Sequence, residues 1–448
     1  MGLSEVRESR GQYALKRAKV IETEGYLGSV GGTSLRFRKG RLAACVLIGL
    51  VIMMPVSVLG SPPSDDDGVK EWTMLVFWCA DNNLEFCTDF AMDAWERALT
   101  CNDEVNVVAM VDILSVEGTW IYEVEGGDSK VVMEYPELNT SDPAVLKMFV
   151  EYGMDLYPSE KTILVVQDHG FGWRGMCKDE TNGSSLMSVD GLANALVEVK
   201  DARDGKGVDL LAFDACSMST IEVAYEFRNA VSYLVSSQTV VPYDGLPYMM
   251  TVSDMVANPE MSPEELAADI VQDYVEYYSD KWNYEHIYSY NQDFSTVAAL
   301  SMSHMQEVGD AFIDFSEVLA SEMDKHLSHV MSARMDATIG NWANIGGWEW
   351  QPDLGVFMED LVGVISPELD ATIEDFFGAL DAAIVLEAHS DRYDGRVHGL
   401  NVYFPPSQSM YDSCAYWWAK MFVYHESNLD IVSESRWYEC LMKYYGTI

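Results

Sequence analysis

From residue 72 onward, short runs of apolar, β-prone residues alternate with stretches whose apolar positions recur every three to four residues. The runs fall at 74–78, 105–111, 163–166, 210–213 and 233–236; the helical stretches fall near 84–99, 142–152, 189–199 and 220–230. Runs such as Ile163-Leu164-Val165-Val166 are apolar throughout, which predicts strands buried on both faces. Strands and helices in this order predict an α/β fold, an α/β/α sandwich with a mostly parallel central sheet. Residues 120–124 alternate polar and apolar and predict a hairpin or edge strand. Beyond Tyr248 the pattern turns mainly helical, with amphipathic stretches at 262–278 and 302–331. A late strand at 399–404, closed by Pro405 and Pro406, is expected to rejoin the core sheet. The expected organisation is a core at 72–250 and a mainly helical C-terminal part at 251–448, with a soft boundary near 250.

The amino terminus departs from this pattern. Residues 42–59 form the longest apolar run and follow Arg36, Arg38, Lys39 and Arg41, which predicts a signal sequence or membrane anchor over residues 1–60. Residues 61–71 read as an exposed linker. The net charge of −44 excludes a general nucleic-acid binder, because phosphate recognition needs clustered Lys and Arg. Residues 1–60 carry nine basic and four acidic side chains, or +5, so the remainder carries −49. That remainder holds seven cysteines, and an odd count in an exported chain points to a free thiol.

Two of the buried strands end in reactive side chains. Asp168-His169-Gly170-Phe171-Gly172-Trp173 follows the run at 163–166, and Asp214-Ala215-Cys216-Ser217-Met218 follows the run at 210–213. Parallel strands deliver such residues to the carboxyl edge of the sheet, where open α/β folds bind ligands. The 47 residues from 169 to 216 leave room for one crossover helix, and a His and a Cys meeting there suit a cysteine peptidase. Ser217, Ser219 and Thr220 offer N-caps to the following helix, whose N–H groups would stabilise a Cys216 thiolate. The Gly170 and Cys216 N–H groups are candidates for an oxyanion hole. Taken singly, Cys216 reads as an inert buried thiol and His169 as a satisfied core histidine; the paired strand-end context favours the catalytic reading. His326 and His329 share a helical face, yet no zinc-binding pattern surrounds them, so no metal site is read from the sequence. No G-x-S-x-G follows a strand, which removes a serine α/β-hydrolase.

These strings, with Ala80-Asp81-Asn82-Asn83-Leu84-Glu85, Glu222-Val223-Ala224-Tyr225-Glu226, Pro242-Tyr243-Asp244-Gly245-Leu246-Pro247-Tyr248 and the 399–405 segment, run in one order along the chain. In that order the chain resembles the clostripain-like cysteine peptidases of the caspase, legumain and gingipain group. The resemblance implies a caspase-like fold, with His169 as general acid and base and Cys216 as nucleophile forming a thioacyl-enzyme. It also implies an exported endopeptidase, secreted or tethered through residues 42–59, that cleaves proteins or peptides after Arg or Lys. Asp214 and Asp244 would line the S1 pocket, where a carboxylate makes charge-assisted bonds to a guanidinium. Gln238 and Tyr243 depart from the family pattern, which usually has an acidic residue and a glycine there. Members that mature by self-cleavage between the catalytic His and Cys make Lys178, then Arg174, the candidate sites, since the polar 177–185 segment reads as exposed. Calcium is implied for some members, with no ligand set legible. The competing class is a surface protein that keeps the fold as a catalytically inactive binding module.

Overall fold

The computed structural model describes residues 69–100, 102–279, 295–339, 350–414 and 423–448. The apolar run at 42–59 and most of the expected linker lie outside them. Among the described residues, no helix is long and apolar enough to cross a membrane.

Nine strands form one sheet: β1 (Lys70–Ala80), β2 (Val105–Ile113), β3 (Thr119–Glu125), β4 (Asp128–Tyr135), β5 (Ser159–Gln167), β8 (Leu210–Asp214), β9 (Tyr233–Ser236), β10 (Thr296–Ser301) and β11 (Ile384–His389). The order across the sheet is β11-β10-β9-β8-β5-β1-β2-β3-β4. The five central strands are parallel, and both edges are antiparallel pairs. A second, two-stranded hairpin, β6 (Met176–Asp179) and β7 (Ser185–Met187), lies between β5 and the helix before β8.

Alternate residues of β1 feed two separate cores, which makes the sheet the middle layer of a sandwich. Leu75, Phe77 and Cys79 face one core, and Trp72, Met74, Val76 and Trp78 the other. The first core is closed by α2 (Pro143–Leu156), α3 (Val189–Ala202), α4 (Ile221–Glu226), α7 (Met305–Asp336), α8 (Leu354–Glu359), α9 (Pro367–Ala383) and α10 (Trp437–Tyr444). The second is closed by α1 (Thr88–Ala98), α5 (Tyr248–Ala257) and α6 (Pro263–Ser279). The expected α/β/α architecture is thus observed.

The chain beyond residue 250 is helical but also supplies β10 and β11, which extend the sheet from the β9 edge. The late strand expected at 399–404 is not a member of the sheet. It runs extended through the first core, with Leu400, Val402, Tyr403 and Phe404 buried; isolated bridges join Asn401 to Thr220 and Asp353, and the Val402 and Phe404 N–H groups donate to the Pro352 and Trp350 carbonyls (3.1 and 2.6 Å). Side chains anchor it as well: Arg334 Nε donates to the Phe404 carbonyl (2.9 Å), Trp437 Nε1 to the Tyr403 carbonyl (2.9 Å), and the Tyr403 N–H to buried Glu222 (2.9 Å).

Candidate active site

Sheet register sets the site. Gln167 and Asp214 are partners at the carboxyl ends of the neighbouring parallel strands β5 and β8, so His169 and Cys216 each stand two residues past the same rung. The turns that follow are in backbone contact: a Cβ built on Gly170 would overlap the Cys216 carbonyl oxygen and stand 3.0 Å from its amide nitrogen. Only glycine fits there. Gly172, at φ +60, lies under the Gln351 side-chain amide, and a Cβ there would stand 3.3 Å from the Ser217 carbonyl oxygen.

Asp168 fastens the His169 turn. Its buried carboxylate accepts from the His169 N–H (2.5 Å), from Asn82 Nδ2 (2.8 Å) and from the Lys178 N–H, while burial pushes its carboxyl well up. The imidazole is half-buried, and its Nε2 lies 2.9 Å from the side-chain oxygen of Asn83. Burial, then the Lys178 charge, lowers His169 to about 4.

Cys216 is half-buried, followed by Ser217 in the left-handed region at φ +56. The Val241 N–H approaches Sγ at 3.3 Å. Burial raises the thiol to about 11, with Asp214 and Asp168 adding to the rise against the Val241 hydrogen bond. The helix-terminus activation expected for this thiol is absent. Helix α4 starts at Ile221 with Thr220 as its N-cap, four residues past Cys216. The Ser217 and Ser219 hydroxyls donate instead to the Gln238 and Gly399 carbonyls (3.5 and 2.6 Å). In this state the imidazole is neutral and the proton rests on sulfur.

Asp214 and Asp244 flank one turn. Asp214 is buried, takes the Tyr248 hydroxyl at 2.5 Å and lies so close beneath Gly245 that a Cβ there would overlap its carboxylate. Burial raises it to about 6. Asp244 is half-buried and takes the Tyr277 hydroxyl at 3.0 Å, while Tyr278 donates to the Gly245 carbonyl at 2.6 Å. Both carboxylates act on buried Cys87, whose thiol burial pushes up to about 12. Asn83 and this tyrosine set were missed in the sequence; Asn82-Asn83 stood within a motif string, but nothing local marks their partner. Gln238 is buried, donates to Asp353 (2.8 Å) and Asn401 (2.7 Å) and ties the 399–404 segment to the core.

The 177–185 segment is not the exposed loop expected of it. Lys178 is buried in β6 with its ammonium 2.5 Å from Glu180, and the exposed tip, residues 181–183, has no basic residue. Arg174 is half-buried in a tight turn, with its guanidinium over the Trp350 ring at 5.4 Å.

Comparison with known proteins agrees with this fold. A secreted cysteine protease from Bacteroides thetaiotaomicron, crystallised with an irreversible peptide inhibitor, superposes with a TM-score of 0.61 over 82% of this chain and 99% of its own, at 18% identity. An inactive zymogen protease from Parabacteroides distasonis gives 0.61 over 82% and 98%, at 17% identity. At these identities the likeness is one of fold. Clostripain from Hathewaya histolytica is 30% identical over 215 residues, 39% of this chain, and the match spans only 40% of that relative's length. The sequence profile described as the Clostripain family matches residues 76–431, from β1 to the C-terminal helices and through both strand-end motifs. The chain belongs to the clostripain family.

Proposed function

We propose that the protein is an exported cysteine endopeptidase that cleaves after Arg or Lys through His169 and Cys216. The observation that carries this reading is the shared rung of Gln167 and Asp214, which sets both side chains at one sheet edge with their turns in contact. His169 takes the thiol proton as Cys216 sulfur attacks the scissile carbonyl, with the oxyanion received by the Gly170 and Cys216 N–H groups. The imidazolium then gives that proton to the leaving amine. Water hydrolyses the thioacyl-enzyme with His169 again as base, returning the thiol. Asp244, with Asp214 and the tyrosines around Gly245, supplies the negative end of a pocket for a guanidinium or ammonium. The family membership and the clostripain match support the substrate class.

The resting proton distribution points to activation by self-cleavage after Lys178. While β6 is intact, the Lys178 N–H is held by Asp168 and its charge depresses the His169 basicity. Breaking the Lys178–Asp179 bond would release that cation and lift the smaller part of the depression, the larger part coming from burial. Burial of Lys178 requires the hairpin to open first, so the event would be slow. Arg174 is the second candidate. The leader supports export, whether residues 42–59 are removed or stay as a tether.

The reading is tested with a peptide library and an active-site label. Cleavage after basic residues and labelling of Cys216 should both disappear in Cys216→Ala and His169→Ala. Turnover by either purified variant at a near wild-type rate would overturn it.

A further inference from the structure

Four carboxylates gather behind the His169 turn, outside the groups used above: Asp81 just past β1, Asp112 in β2, Glu137 after β4 and Asp179 at the end of β6. Asp81, Asp112 and Asp179 are fully buried and Glu137 is half-buried. One oxygen from each of Asp81, Asp112 and Glu137 lies within 4.8 Å of the other two. Among the described residues none of the four pairs with a Lys, Arg or His.

Hydrogen bonding does not satisfy them. Thr181 Oγ1 has one hydrogen and faces Asp81, Glu137 (3.0 Å) and Asp179 (3.4 Å). Thr140 Oγ1 likewise stands 3.3 Å from both Asp112 and Asp179. Asp179 is otherwise well supplied, with the Thr140 and Asn182 N–H groups at 2.9 and 2.8 Å. Asp81 Oδ1 and Asp112 Oδ1 are buried with no hydrogen-bond partner at all. A carboxylate oxygen sealed from water without a donor is costly, and two within one cluster call for a positive charge. Burial and the neighbouring carboxylates push Asp112 up to about 8, so a proton partly fills that place when no cation does.

The donors choose the cation. All are hard oxygens, with no cysteine or histidine, which suits calcium or magnesium rather than zinc. Two oxygens each about 2.4 Å from one calcium ion lie at most about 4.8 Å apart, and the three oxygens here all fall within that distance of one another. Calcium also accepts irregular coordination and completes its shell with water, whereas magnesium demands a near-ideal octahedron. The residues therefore fit the ion that family resemblance implied without a ligand set.

We propose that Asp81, Asp112 and Glu137 form a calcium site, with Asp179 holding Thr140, Thr181 and Asn182 around it. The ion would act on the site from behind. Asp81 leads directly into Asn82 and Asn83, which hold Asp168 and His169, and the Asp81 carbonyl accepts the Glu180 N–H (2.9 Å) at the end of β6. Calcium would thus stiffen the wall that carries the imidazole and the start of the β6–β7 hairpin together.

The test uses full-length Cys216→Ala protein, so that neither turnover nor self-cleavage enters and its result is separate from the peptidase reading. After treatment with a chelator, calcium chloride is titrated by calorimetry and melting is followed in parallel. One saturable site and a Tm rise of several degrees at 1 mM calcium are expected, with a weaker response to magnesium chloride. Asp112→Asn should lower affinity more than about tenfold by removing one ligand charge. Glu137→Gln, at a half-buried position less critical to folding, should do the same. No saturable heat with an unchanged Tm, equal binding of magnesium, or wild-type calcium affinity in both variants would overturn the site.

Discussion

The Gly170 backbone lies directly against that of Cys216, so closely that no other residue type fits between the two strand-end turns. This contact fixes the separation of the two turns, and through it the reach from imidazole to thiol. Gly170→Ala must push the turns apart or break the β5–β8 edge. It should cost about 1 to 3 kcal/mol of stability, as overpacking in a tight site does, and lower kcat/KM at least about 100-fold. Chemical denaturation and peptide hydrolysis measure the two, and a fully active Gly170→Ala enzyme would show that the contact is incidental.

The thiol of the uncleaved chain should be slow to react. Burial raises Cys216 to about 11, so the thiolate that iodoacetamide attacks is scarce at neutral pH and grows as pH rises towards that value. His169, lowered to about 4, is neutral across this range and offers no charge to the sulfur. Alkylation of Cys216 in the purified uncleaved chain, with Lys178 in place, should therefore climb steadily from pH 7 to 10. A rate already at its plateau at pH 7 would place a thiolate–imidazolium pair in the resting enzyme.

Asn83 is exposed, and its oxygen is 2.9 Å from His169 Nε2. Accepting there favours the tautomer with its proton on Nε2, leaving Nδ1 with the lone pair needed to receive the thiol proton. Asn83→Ala should lower kcat about tenfold or more with little change in KM. Asn83→Asp should also shift the acidic limb of the pH profile upward, because a carboxylate stabilises the imidazolium. An unchanged profile in Asn83→Asp would reduce this contact to a packing detail.

If Lys178 is the processing site, Cys216→Ala protein stays one chain while wild type acquires a new amino terminus at Asp179. The buried setting of Lys178 predicts that mild warming or low denaturant, which open the hairpin, speed the break. Terminal sequencing of fully active enzyme that finds no break between Trp173 and Leu210 would remove self-cleavage from the scheme.

What was legible in the sequence was whatever burial writes into a continuous run. The central strands are apolar on both faces, so β1, β2, β5, β8 and β9 stand out, and so do the reactive residues at their ends. β10 and β11 do not. Thr296-Val297-Ala298-Ala299-Leu300 contains the alanines that also suit helices, and β11 follows α9 without a break, its first residue serving as the helix C-cap. Ser217 and Ser219 look like helix caps, but their hydroxyls bond to carbonyls 21 and 180 residues away, partners that no local pattern announces. The same holds for Asn83, 86 residues from the imidazole it meets. The polar composition of 177–185 concealed a strand in which Met176, Cys177, Lys178 and Asp179 are all buried.

Substrate preference rests on the turn between Pro242 and Tyr248, and there the two carboxylates differ. Asp214 is buried, held by Tyr248 at 2.5 Å and raised to about 6, so it carries only part of its charge near pH 6 and more above it. Asp244 is half-buried, with the Tyr277 hydroxyl on one oxygen at 3.0 Å, and is the better placed of the two to meet an arriving cation. Losing its charge would leave a desolvated guanidinium short of a partner, at about 2 to 5 kcal/mol in transition-state binding. Asp244→Asn should accordingly lower kcat/KM for Arg and Lys substrates by about 30-fold or more and leave slow cleavage after uncharged residues nearly unchanged. Tyr277→Phe, which removes only the hydroxyl from Asp244, should have a much smaller effect. Moderate salt should not erase the difference, since a buried pair is poorly screened, whereas attraction by the acidic surface at large would fade. Retention of full Arg selectivity by Asp244→Asn would move the specificity pocket elsewhere while leaving the Cys216–His169 pair intact.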